Sequence, residues 1–316
     1  MWCDEPVTDR ERYRSLSDKV VALYQDGRYT DALELVRAGQ LELPAWQADL
    51  AHLAACLLAV SGRPEDALTE LQIAYEVGGW WHRRILVEDE DLASLRDLPG
   101  FAELVEASHA RAMRACEEAP APEIRRPPGS PIGLLIVLHG AGYSAEETAW
   151  QWRTAVDAGY ALVAPESSQR NTPMYRSWPD PAIATRDLTN LIGALPDDLR
   201  RLPLTVAGFC AGGRQAIRWA LAGWPGEPLR FIAVAPTISP EHINATIAAA
   251  AAERGLTGQV IVGENDDSRA DALAALNTLR AAGLSPELDI VPGLGHALPD
   301  DFGTRLPLLL ATPSAP

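Results

Sequence analysis

Residues 204–222 constrain this chain more than any other stretch. Leu204-Thr205-Val206-Ala207 is a strand-length apolar run, and it leads directly into Gly208-Phe209-Cys210-Ala211-Gly212-Gly213. The following ten residues, 213–222, read as a helix with Ala216, Ile217, Ala220 and Leu221 on one face and Arg214 and Arg218 on another. A sharp turn from strand to helix brings the positions two before and two after its central residue close together, so side chains there would clash. Gly208 and Gly212 occupy those two positions. Cys210 is then held in a strained conformation at the end of a sheet, with its side chain presented outward. The helix N-terminus behind it favours a negative charge, which lowers a thiol pKa.

The surrounding pattern agrees with a layered fold. Short apolar runs at 132–138, 160–164, 204–207, 231–235 and 260–262 alternate with helical stretches at 145–158, 182–195, 213–222, 240–254 and 269–282. Such alternation predicts a mostly parallel sheet covered by helices on both faces. A last run, 288–291, alternates polar and apolar residues and reads as an edge strand.

Carboxylates follow the run at 260–262, in Gly263-Glu264-Asn265-Asp266-Asp267, and a histidine follows the last run, in Pro292-Gly293-Leu294-Gly295-His296. Thiol, acid and base thus run in the order Cys210, Asp266 (or its neighbour Asp267), His296, the order that a strand-turn-helix nucleophile fold requires. After the first apolar run, Leu138-His139-Gly140-Ala141-Gly142 is a small-residue turn whose backbone N–H groups can face the same point, with His139 expected to brace the turn. Gly142 and Trp178 are candidate substrate contacts. Trp150, Trp152 and Trp178 are candidates for the wall of an acyl pocket, and the irregular stretch 169–180 is a candidate lid over the strand ends.

The N-terminal part repeats itself. Gly27-Arg28-Tyr29-Thr30-Asp31-Ala32-Leu33 recurs as Gly62-Arg63-Pro64-Glu65-Asp66-Ala67-Leu68, an offset of 35 positions. Each copy reads helix, glycine turn, helix, with a small alanine that permits close helix approach. Two such pairs leave apolar faces, so the segment that follows, with Trp80-Trp81 and the helix starts near 92 and 101, is expected to cap them. The Pro-rich stretch 117–131 reads as a linker or an irregular edge segment. The expected organisation is therefore 1–116 helical repeats with capping helices, 117–131 linker, and 132–316 catalytic domain.

These motifs carry two resemblances. Residues 10–77 resemble tetratricopeptide repeats. Residues 132–312 resemble the α/β-hydrolase superfamily, and within it the dienelactone hydrolases, which carry cysteine in a Gly-x-Cys-x-Gly-Gly turn, and the phospholipase/carboxylesterase group, which carries serine after Gly-Phe. The resemblance implies Cys210 as nucleophile, His296 as base, Asp266 as its orienting acid through the Gly263-x-x-Asp266 spacing, and an oxyanion hole from the N–H groups of Ala141 and Ala211. It implies cleavage of a small ester, lactone or thioester without a cofactor. A hydrolase-fold binding or sensor module, and a peptidase of the same superfamily, are the other readings of the same residues.

A net charge of −16 argues against nucleic acid and against a polybasic membrane contact. The start Met1-Trp2-Cys3-Asp4-Glu5-Pro6 lacks the basic and apolar regions of a secretory signal, and the four cysteines are scattered, which reads as reduced thiols in the cytoplasm. No His, Asp, Glu or Cys grouping in the sequence has metal-ligand spacing. His52, His82, His109 and His242 read as ordinary surface or packing residues. The repeats are expected to hold a protein partner or a second copy.

Overall fold

The computed structural model describes residues 8–116 and 119–311; Cys3 with the rest of the N-terminal hexapeptide, and Glu117–Glu118 of the expected linker, lie outside the described residues. The chain divides into two compact units, residues 1–117 with 170–175, and residues 118–169 with 176–316.

The first unit is helical: α1 (Asp9–Gln25), α2 (Tyr29–Glu42), α3 (Gln47–Val60), α4 (Pro64–Glu76), α5 (Arg83–Val87) and α6 (Phe101–Ala115), with single 3-10 turns at Pro44–Trp46 and Glu90–Leu95. Thr8 starts α1 by accepting the N–H of Glu11, whose carboxylate returns to the Thr8 backbone. The repeated glycines do the same work twice. Gly27 and Gly62 have φ of 71° and 77° in the α1–α2 and α3–α4 turns, where an L side chain would be strained. Ala32 and Ala67, five residues on, are fully buried where the paired helices meet. Gly39 extends the same logic, since a methyl there would come within 2.4 Å of the Leu16 side chain. Trp46 stacks on Tyr13 at 3.9 Å. Trp81, Leu86, Leu92, Leu95 and Phe101 share one apolar cluster with Ala55, Leu58, Leu68 and Leu71 of the second helical pair, so the capping segment covers the face that two pairs would leave bare.

Residues 170–175 correct the expected domain boundary: this short excursion, part of the stretch expected as a lid, belongs to the helical unit. The Thr172 hydroxyl donates to Asp49 Oδ1 at 2.8 Å, the His82 N–H donates to the Asn171 carbonyl at 2.7 Å, and Arg84 reaches the Asn171 side chain at 2.9 Å. Met174 packs on the cluster of Val20, Trp46 and Leu50. No local sequence signal announces a six-residue loan to another unit; it is set by these long-range bonds.

The second unit is a seven-stranded sheet in the order β1-β3-β2-β4-β5-β6-β7. Its strands are β1 (Glu123–Arg125), β2 (Gly133–Leu138), β3 (Tyr160–Ala164), β4 (Leu204–Phe209), β5 (Arg230–Val234), β6 (Thr257–Gly263) and β7 (Glu287–Val291). All neighbours are parallel except β1 with β3. The Pro-rich stretch 117–131 is thus not simply a linker: three residues free of proline pair at the sheet edge, the place where flanking prolines are tolerated. Helices α7 (Ala145–Gln151), α8 (Thr154–Asp157), α9 (Pro181–Ala194), α10 (Asp197–Arg200), α11 (Ala211–Ala222), α12 (Ala245–Glu253), α13 (Arg269–Ala281) and α14 (Phe302–Ala311) accompany the sheet. The strand period of two sorts β2 between two cores: Leu134, Ile136 and Leu138 pack on one face, Leu135 and Val137 on the other. Two expected helices are interrupted. The first breaks at Trp152-Arg153, where the Trp152 ring is buried edge-on against Phe302, and the fourth begins only after Asn244, whose side chain accepts the N–H groups of Thr246 and Ile247 as an N-cap. No single helix among the described residues is long and apolar enough to cross a membrane.

Asp49 gives a test of how the helical unit holds residues 170–175. Its carboxylate is 5 % exposed, and Oδ2 has no hydrogen-bond partner. Burial raises its pKa to about 6, against the opposing pull of the Thr172 bond and His52. The folded chain therefore holds a proton between about pH 4 and 6 that the unfolded chain releases, so this contribution to stability is lost as pH rises through that window. Asp49→Asn keeps an acceptor for Thr172 and removes the charge. It should stabilise the unit at pH 7.5 by about 2 kcal/mol and flatten the dependence between pH 4 and 7, read as slower hydrogen exchange of the α3 amides. An unchanged pH dependence would refute this account.

Candidate active site

Cys210 sits between β4 and α11 with φ 54° and ψ −120°, a conformation that a non-glycine residue adopts only under strain. Its surroundings leave no alternative. A methyl at Gly208 would lie 2.4 Å from the Gly212 carbonyl carbon, and a methyl at Gly212 would lie 2.1 Å from the Leu138 carbonyl oxygen. The two glycines that bracket Cys210 are therefore required by backbone-to-backbone packing. Cys210 is half-buried, and it packs against the cores on both faces of the sheet.

His296 approaches from the loop after β7. The loop crosses the end of β6 so closely that a methyl on Gly263 would be 2.2 Å from the Leu294 carbonyl and 2.3 Å from that of Gly295. Bonds from Glu264 N–H to Val291 O at 2.9 Å and from Asn265 N–H to Leu294 O at 2.8 Å fix the crossing. As a result His296 Nδ1 lies 3.0 and 3.1 Å from the two oxygens of Asp266. The Asp266 carboxylate is fully buried, and Oδ1 also accepts the Ser268 N–H at 2.8 Å. Asp267 is exposed, so of the two adjacent acids it is Asp266 that meets the ring.

Asp266 takes Nδ1, which leaves Nε2 of His296 for Cys210. Burial alone would raise the thiol pKa, but His296 and the N–H groups of Ala211 and Ala141 outweigh it and bring the pKa down. The Cys210 sulfur in turn raises His296 to about 9, against desolvation and with help from Asp266.

The turn at 139–142 is braced from behind. His139 is buried, with Nδ1 2.8 Å from the Gly140 carbonyl and Nε2 accepting the Ser167 N–H at 3.1 Å, which places its proton on Nδ1. The Gly142 N–H donates to the Arg176 carbonyl at 2.9 Å, and Arg176 pairs with Glu166 and donates to Ser167 O. Trp178 is 1 % exposed, and its indole N–H donates to the His139 carbonyl. Its buried ring supports the turn; Trp152 is likewise buried, and Trp150, 38 % exposed, lies under the Arg153 guanidinium. Three large rings looked like a pocket wall because a sequence does not say which face of an element a ring occupies. The buried Arg176 is a supporting residue that the motifs alone did not single out. Another is Arg214, which donates to the Trp178 and Thr237 carbonyls. Three residues distant from this site, His52, Cys56 and Asp89, converge in the helical unit, a grouping that the sequence spacing did not reveal.

The N-terminal unit matches a family model described as the A/B hydrolase-like N-terminal domain, over residues 12–116. Solved structures with a similar fold include an uncharacterized protein from Bacillus cereus ATCC 10987, at 22 % identity and a TM-score of 0.53, covering 94 % of this chain and 97 % of that one. Zea mays acyl-protein thioesterase 2 follows at 18 % identity and 0.51, and esterase PE8 at 20 % and 0.50, each over 61 % of this chain and 99 % and 98 % of theirs. No curated protein matches this chain. The second unit has the α/β-hydrolase fold.

The coupled pair predicts a pH profile. Alkylation of Cys210 by iodoacetamide, followed by mass spectrometry of its peptide, should reach half-maximal rate below the pH of an ordinary thiol, near 8.5. His296→Ala removes the partner and should move that midpoint up by at least about one pH unit. An identical profile in both forms would show that the ring does not control the sulfur.

Proposed function

We propose that this protein is a hydrolase of small carboxylic esters, lactones or thioesters, acting through Cys210, His296 and Asp266. The observation that carries the reading is a thiol on a strained turn whose pKa is lowered by an imidazole that a buried carboxylate holds at Nδ1. Esterase PE8 and the maize acyl-protein thioesterase share the fold.

The thiolate of Cys210 attacks the acyl carbonyl carbon. The oxygen gains the displaced electron pair and is held by the Ala141 and Ala211 N–H groups; loss of one such donor typically costs about 3 kcal/mol of barrier. His296 then gives its Nε2 proton to the departing alkoxide or thiolate, leaving an acyl thioester on Cys210. Water enters, His296 takes its proton, and the carboxylic acid leaves as the thiolate is restored. Asp266 keeps the ring in the required tautomer throughout. A thiolate is a better leaving group than an amine, so the adduct with an amide returns to substrate, which favours esters and thioesters over peptides. The chemistry needs Cys210 reduced, which a cytoplasmic location provides, and it needs no cofactor.

Chromogenic esters and thioesters tested on native, Cys210→Ser and Cys210→Ala protein check the proposal. Cys210→Ala should lose at least about 1,000-fold in kcat/KM, while KM for the best substrate changes little. Turnover by the alanine form at the native rate would remove Cys210 from the chemistry.

A further inference from the structure

A second grouping of cysteine, histidine and aspartate lies in the helical unit, and its geometry differs from the first. His52 and Cys56 are one turn apart on the same face of α3. Asp89 comes from the segment between α5 and the 3-10 turn Glu90–Leu95, where its Oδ1 caps the turn by accepting the Asp91 N–H at 3.0 Å. That leaves Oδ2 directed at the other two residues: it lies 3.1 Å from His52 Nε2 and 3.5 Å from Cys56 Sγ, and the sulfur is 3.8 Å from Nε2. In a proton relay the carboxylate and the sulfur take opposite nitrogens of the ring. Here both converge on one nitrogen, so no relay can run through it.

Three donor atoms pointing at one another around a common centre is the arrangement a metal ion imposes. Tetrahedral zinc holds sulfur at about 2.3 Å and nitrogen and oxygen at about 2.0–2.2 Å. Those bond lengths separate sulfur from nitrogen or oxygen by about 3.5–3.6 Å and nitrogen from oxygen by about 3.3 Å. The observed separations of 3.8, 3.5 and 3.1 Å fall within a few tenths of an ångström of these. From this we infer that His52, Cys56 and Asp89 form a zinc site, with water or a fourth donor completing the tetrahedron. A thiolate, an imidazole and a carboxylate are the mixed donor set that suits this ion, and two negative ligands neutralise its charge. The two α3 ligands need no adjustment in register, and Asp89 is held by its capping bond, so the site is preorganised.

Zinc takes cysteine as a thiolate, so binding would release the Cys56 proton. Bound, the ion would clip the capping segment to α3 across the 32 residues between Cys56 and Asp89.

The test uses full-length Cys210→Ala protein, so that zinc cannot be held by the candidate catalytic thiol. Zinc titrated by calorimetry should bind once per chain with release of protons. Cobalt in its place should show a thiolate-to-metal charge-transfer band together with the intense visible bands of four-coordination, and zinc should raise the thermal midpoint. Adding Cys56→Ser or His52→Gln should abolish the charge-transfer band or weaken zinc by more than roughly tenfold, a loss that even supporting residues of metal sites produce. Should those buried variants fail to fold, Asp89→Asn carries the comparison, because asparagine preserves the cap and removes the charged ligand. No binding, binding without a thiolate band, or affinity unaltered in the folded variants would overturn the site.

Discussion

At the ends of β2, β4 and β6 the backbone has no space for side chains, and the candidate site depends on that lack of space. Gly208 meets Gly212 across the turn that raises Cys210; Gly212 meets the carbonyls of Leu138 and His139; Gly263 meets those of Leu294 and Gly295. Each contact places backbone against backbone at a distance any Cβ would forbid. Together they draw the turn after β2, the turn after β4 and the loop carrying His296 to one point. The positive φ of Cys210 is sustained because both flanking elements are anchored, β4 buried on both faces and α11 packed along most of its length.

Chemistry follows from which atoms that packing leaves facing each other. In the proposed triad, Asp266 takes Nδ1 of His296 and leaves Nε2 for Cys210, so that a proton can pass. Cys56, His52 and Asp89 present the same three residue types with sulfur and carboxylate on a single nitrogen, and a proton has nowhere to go. Residue identity alone does not separate a relay from a cation site. The difference lies in the direction from which the carboxylate arrives, through a β-strand end in one case and a helix cap in the other.

The helical unit shows how two helical pairs are finished. The glycine turns and buried alanines are spent twice in register, and the apolar faces that result are covered by Trp81, Leu86, Leu92, Leu95 and Phe101. The borrowed residues 170–175 are held by side chains from α1, α3 and the start of α5, including the buried Asp49, so a segment encoded in the middle of the sheet unit depends on helices encoded far before it.

The sequence by itself determined whatever is local in its cause. Apolar runs of strand length, helical spacing between them, the paired glycines around Cys210 and the 35-residue echo each follow from a few neighbouring residues, and they place their elements except where the helices expected at 145–158 and 240–254 are interrupted. The order of thiol, acid and histidine was legible for the same reason. Folding alone decided what depends on partners distant in the chain. It selected Asp266 over Asp267 by burying one and exposing the other, and it turned Trp178 inward as a brace. It made a strand from three residues of a Pro-rich stretch, moved six residues into another unit and brought Asp89 to His52 and Cys56. Those outcomes rest on long-range contacts, and a linear pattern carries no record of which surfaces will meet.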